Sequence, residues 1–206
     1  MHVNVCGYSG KWCDELFHRL HEALYAAAAA GHVYDVVILL GGTNDLSDSS
    51  GRPEQMAREA DTVFARLHRM YALVRPDIGA LQPVATPAAS AEAPLAAASA
   101  LGKRAPKLVA ITIPQTVDFG APYANLRAAI NARIKAIPAN ILSVVDAETE
   151  IPYYSVGADG KPGKMNAALW DDELHMTAAG YDALGELVFA RAIEPWLKSQ
   201  WSSGAQ

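Results

Sequence analysis

Along the chain, apolar spacing switches repeatedly between a helical period and short strand-length runs. "HVNVC" (2–6) alternates polar with β-branched residues up to Gly7, which predicts a short strand. Leu16, Phe17, Leu20 and Leu24 form one stripe of an amphipathic helix over 11–30, stopped by Gly31. "YDVVILL" (34–40) is an apolar run of strand length, the mark of a strand buried on both faces, and it leads into the turn-rich "GGTNDLSDSSG". A second helix is predicted over 52–74, with Pro53 in its first turn and Met56, Val63, Leu67 and Met70 at helical spacing. Further strands are predicted at 107–114, ended by Pro114, and at 141–147, with a helix at 123–137 between them. A long loop then reaches a last helix over 177–198, with Thr177 as its cap.

Strands alternating with helices imply a three-layer α/β/α domain with a parallel sheet, because parallel strands need crossover helices. Residues 76–106 depart from the pattern: built from Ala, Pro, Ser and Gly, they read as a flexible insertion with a turn or two of helix near 95–101. The expectation is one domain over 1–206 carrying that insertion. In such sheets chemistry gathers at the carboxyl ends of the strands, which here means the loops 7–10, 41–46 and 147–175.

Composition narrows the classes. A chain of 206 residues with 51% hydrophobic and 19% charged residues can build a core, which excludes disorder as its main state. The net charge is −5 and Lys and Arg are scattered, so the basic footprint of a nucleic-acid binder is missing. No apolar run reaches membrane-spanning length and the first residues carry no secretory pattern, which makes the cytoplasm the default expectation. Cys6 and Cys13 are too few for a disulfide framework and lack histidines at zinc spacing; they read as one buried thiol and one on a helix face. Oligomeric state leaves no mark in the pattern.

The three loops bring Gly10, Asn44, Asp172 and His175 to one edge of the sheet. Histidine is a general base at neutral pH and works best when a carboxylate fixes its tautomer, which an Asp-x-x-His turn allows. Taken alone, Asp172 and His175 read more readily as a polar start to a helix than as a working pair. An Asn in a Gly-x-Asn-Asp turn after a strand can offer its amide to an oxyanion, or can be an ordinary turn asparagine. Gly10 offers a backbone N–H open to a ligand, or is simply a turn glycine.

"YSG" at 8–10, "GGTND" at 41–45 and "DELHMTAAGY" at 172–181 resemble the second, third and last sequence blocks of the SGNH hydrolases, the GDSL esterase/lipase family. The blocks occur in the family's order, and the resemblance covers nearly all of the chain outside 76–106. It implies a flavodoxin-like sheet and a serine ester hydrolase acting on a small-molecule ester without metal or cofactor. In that scheme His175 is the base, Asp172 orients it, and Gly10 and Asn44 form the oxyanion hole. The family's nucleophile block, Gly-Asp-Ser at the end of its first strand, is missing from this sequence. Ser9, Ser47, Ser49 and Ser50 lie on loops without the features of a nucleophile elbow. The expectation is that Met1 is not the natural start and that the nucleophile lies upstream. That leaves "HVNVC" and "YDVVILL" without the strand between them, unless they pair directly. The alternatives are a non-catalytic acyl- or ester-binding module derived from this fold and a flavodoxin-like binding domain of other ancestry. "GADGKPGK" (157–164) misses the phosphate-loop pattern at Pro162 and Met165, and His18 with His21 has no third metal ligand.

Overall fold

The computed structural model describes residues 3–48, 52–80, 105–115, 121–156 and 162–203. Its centre is a parallel sheet of β1 (Val36–Leu39), β2 (Lys107–Ile111) and β3 (Leu142–Val145), in that order. The alternation of side chains along β2 divides the interior. Leu108 and Ala110 point into one core, Val109 and Ile111 into the other.

Helices α1 (Cys13–Ala29), α2 (Pro53–Val74) and α3 (Ala121–Lys135) cover the first face. The apolar stripe of α2 delivers Val63, Leu67 and Met70 to that core, and α3 adds Leu126, Ile130 and Ile134. Helix α1 seats Phe17 fully and Leu16, Leu20 and Leu24 partly, then ends in a Schellman turn. There the Gly31 N–H donates to Ala28 O and the His32 N–H to Ala27 O, both at 2.9 Å. Beyond the one-turn helix α4 (Ala147–Glu150), the chain forms an antiparallel pair, β4 (Tyr154–Val156) with β5 (Pro162–Met165). Helices α5 (Ala178–Val188) and α6 (Glu194–Ser203) follow, and α5 delivers Leu184 and Val188 to the second core.

The predicted last helix is thus divided. One π turn, Phe189–Ile193, joins α5 to α6, with the Glu194 N–H donating to Phe189 O. The cause is Pro195, which has no N–H to give to the Arg191 carbonyl and whose ring crowds it, so the helix widens just before it.

Other expectations are corrected. Residues 3–8 form no strand: Val3 is 62% and Val5 87% exposed, and the segment touches the strand 34–40 region through an Asn4 Nδ2 to Tyr34 hydroxyl bond of 2.9 Å. A strand's backbone needs a partner, and none lies beside this one among the described residues. For the same reason β1 is an edge strand and not one buried on both faces; Ile38 is 47% exposed. At the start of the predicted insertion, 76–80 is an ordered 3-10 turn (Pro76–Ala80) that buries Ile78 completely. The helix expected near 95–101 lies outside the described residues. Cys13 is at once the buried thiol and the helix thiol, while Cys6 is exposed. Among the described residues no helix is long and apolar enough to cross a membrane.

Candidate active site

Of the predicted residues, Asn44 is tied to the residue beside Gly10, and Asp172 to His175. The first joins the loop after β1 to the turn before α1: the Asn44 Nδ2 donates to Lys11 O at 3.0 Å. Gly10, next to Lys11, sits at φ +71, where its missing side chain avoids strain. The Asn44 amide carries two N–H donors, so one remains after the Lys11 bond. Gly42 opens this loop at φ +97, and a Cβ there would stand 2.8 Å from Ile113 Cδ1, so the turn that aims Asn44 requires glycine.

Asp45, not singled out by its sequence, is the hub of this corner. Its side chain is fully buried, with Oδ2 accepting the Cys13 N–H and Oδ1 accepting Arg66 Nη1, both at 2.9 Å. The carboxylate thereby caps the start of α1 and pins the Asn44 loop against it. Arg66 also reaches Asp14 through Nε at 3.2 Å. The signal in the sequence was a charged residue followed at once by Leu46, which is itself wholly buried.

The second pair is Asp172 with His175. The Asp172 Oδ2 lies 2.8 Å from His175 Nδ1, while Oδ1 accepts the Leu174 N–H at 2.7 Å and the His175 N–H at 2.6 Å. The hydrogen bond with the His175 ring comes first, and those two N–H groups next, in holding the Asp172 carboxyl down at about 2. Both side chains stay more than half exposed, which leaves the ring accessible.

The loop is fixed from below. Trp170, almost wholly buried, pairs with Met176 across an isolated bridge, and the Asp171 N–H donates to His175 O at 2.9 Å. Thr177 donates its hydroxyl to Ala168 O at 2.8 Å and accepts the Gly180 N–H at 3.1 Å, the predicted cap. Gly180 has to be glycine, because a Cβ there would collide with the Leu169 carbonyl.

Among the described residues no hydrogen bond or ion pair joins the Asn44 pair to the Asp172 pair, and no serine hydroxyl bonds to His175. The Ser47 hydroxyl donates to Asn44 O at 2.7 Å, inside its own turn, and Ser9 is exposed. Ser49 and Ser50 lie outside the described residues.

A parallel sheet between helical layers is the α/β/α architecture of the SGNH-type hydrolases, and solved structures of that kind superpose on the chain. A GDSL-like lipase from Bacteroides thetaiotaomicron matches with a TM-score of 0.54 at 19% identity, over 92% of this chain and 74% of the other. A structure from Bacteroides fragilis described as that of an acylhydrolase matches with a TM-score of 0.52 at 20% identity, over 91% and 72%. At such identities the likeness shows the fold. The chain belongs to the GDSL-like lipase/acylhydrolase family, whose sequence model matches residues 1–183. No curated protein matches it.

Proposed function

We propose that this chain carries the acid–base and oxyanion machinery of a serine ester hydrolase acting on a small-molecule ester. The observation that carries the reading is the 2.8 Å contact between Asp172 Oδ2 and His175 Nδ1. With Nδ1 engaged, Nε2 is the nitrogen left to take a proton. In the reaction, a serine Oγ attacks the acyl carbon as its proton passes to His175 Nε2. The carbonyl electrons collect on an oxyanion held by the Gly10 N–H and the second N–H of the Asn44 amide. His175 then returns the proton to the leaving alkoxide, and water deprotonated by the same nitrogen hydrolyses the acyl-enzyme. None of these steps calls for a metal or cofactor.

In this reading the serine stands on a strand and turn seated against the open edge of β1, upstream of the residues in this sequence. What supports it is that edge. The Lys107 N–H donates to Asp35 O at 2.9 Å, so by the geometry of a parallel pair the backbone groups of Val36 and Ile38 face away from β2. A bare edge beside half-exposed apolar side chains is a site for strand addition. A second reading, a non-catalytic acyl-binding module, is favoured by the lack of a serine hydroxyl at His175 among the described residues.

Hydrolysis of p-nitrophenyl acetate separates them, measured for this chain and for a form extended upstream by its natural reading frame. The extended form is expected to hydrolyse the ester, and His175→Ala to abolish turnover. An inert extended form, or activity that survives His175→Ala, selects the binding module. Fluorophosphonate labelling with peptide mapping locates the nucleophile, and a label on Ser9 or Ser47 rules out the upstream position.

A further inference from the structure

A cavity of about 500 Å³ lies at the opposite end of the sheet from the candidate active site. It is lined by the residues that lead into the strands, Val33 to Asp35 before β1, Ala105 before β2 and Ala139 to Ile141 before β3, with Trp196 and Gln200 of α6 closing it. The volume suits a small organic molecule.

We propose that this cavity binds a small organic carboxylate with an apolar body, its charge held by Lys107 and Ser143 and its body against Trp196 and Val33. The Lys107 ammonium donates to Ser143 Oγ at 2.6 Å, and among the described residues no carboxylate stands within ion-pair distance of it. Burial, and next the nearby Arg75, push the Lys107 pKa down, as expected for a partly desolvated cation lacking a counterion. An anion entering the cavity relieves both effects.

Arg75 contributes field more than contact. Its guanidinium is committed to Asp77, at 2.9 Å and 2.5 Å, and to Ile141 O at 3.0 Å. Asp35 also lines the cavity and opposes a multiply charged ligand, which favours a monoanionic carboxylate over phosphate. Val33, Ile141 and the Trp196 ring add apolar wall that suits an acyl or aryl body, beside the polar Tyr34, Asn140 and Gln200. A carboxylate is also what ester hydrolysis releases, yet binding here does not depend on that activity.

The probe is hexanoate, titrated calorimetrically into this chain, with inorganic phosphate as the comparison. Saturable binding at one site is expected for hexanoate, at least tenfold tighter than for phosphate. Lys107→Met should weaken it tenfold or more, and Gln200→Glu, which places a competing carboxylate on the cavity wall, should do the same. His175→Ala should leave it unchanged. Gln200 is on the outer helix α6, so that variant decides the matter if Lys107→Met fails to fold by circular dichroism. Absence of saturable hexanoate binding, phosphate binding as tightly, or loss with His175→Ala but not with the cavity variants overturns the proposal.

Discussion

Asp172 concentrates most of the candidate chemistry in one side chain, since a single carboxylate both shapes its own turn and faces the His175 ring. Its carboxyl titrates at about 2 instead of the ordinary 3.8, because the folded turn supplies donors only to the ionised form. A depressed folded value means that this group's contribution to stability is present above the unfolded pKa and is lost as pH falls from about 3.8 through about 2. Carbon-13 titration should find its midpoint near 2 and, in His175→Ala, a rise toward 3.8. An unchanged midpoint in that variant would show that the backbone donors act alone. Asp172 therefore stays ionised at any pH where a histidine base is neutral, and an acidic limb of activity would belong to another group. In an active extended form, Asp172→Asn should lower kcat by up to about 10⁴ and Asn44→Ala by about 10² to 10³, read from steady-state ester hydrolysis. The contact between Asp172 and His175 and the Thr177 cap were legible because each joins residues only three positions apart. Asp45 was not, since its partners Cys13 and Arg66 stand 32 and 21 positions away in sequence.

Among the elements, helices α1, α2 and α3 follow the apolar period because each buries the face that the period marks, and β2 matches its continuous apolar run because both of its faces are buried. The failures have different causes. The π turn before α6 reflects one proline inside an otherwise apolar helical pattern. The β4–β5 pair was hidden in a Gly/Pro-rich stretch whose strands are too short to show a period. Asp45 acts at this scale too, by tying the Asn44 loop to α1. Asp45→Ala would orphan the Cys13 N–H and strip Arg66 of one partner. Arg66 keeps Asp14 and is 24% exposed, so the loss should fall near the low end for a broken buried pair, about 3 kcal/mol. Urea unfolding measures it, and a loss under about 1 kcal/mol would mean that the corner holds without its hub.

For the molecule as a whole, β1 reads in sequence as an interior strand and stands in the structure at an edge. Its residues carry the composition of a strand flanked on both sides, while its open side has no neighbour among the described residues. Val3 and Val5 lie exposed in a segment with strand-like alternation, which is the other surface such a neighbour would cover. The conflict between local pattern and global placement is informative, because natural sequences are usually consistent across levels. Ile38 measures it. In this chain the side chain is 47% exposed, so Ile38→Lys replaces a half-hydrated apolar group and should cost about 1 kcal/mol or less. If a further strand seats against β1 in the extended form, the same substitution buries an unpaired ammonium beside the Val109 side of the sheet, and the cost should rise to several kcal/mol. Urea unfolding of both forms, with and without Ile38→Lys, gives the difference of differences directly. Equal costs in the two forms would mean that the edge of β1 stays open, and the upstream position of the nucleophile would lose its structural support.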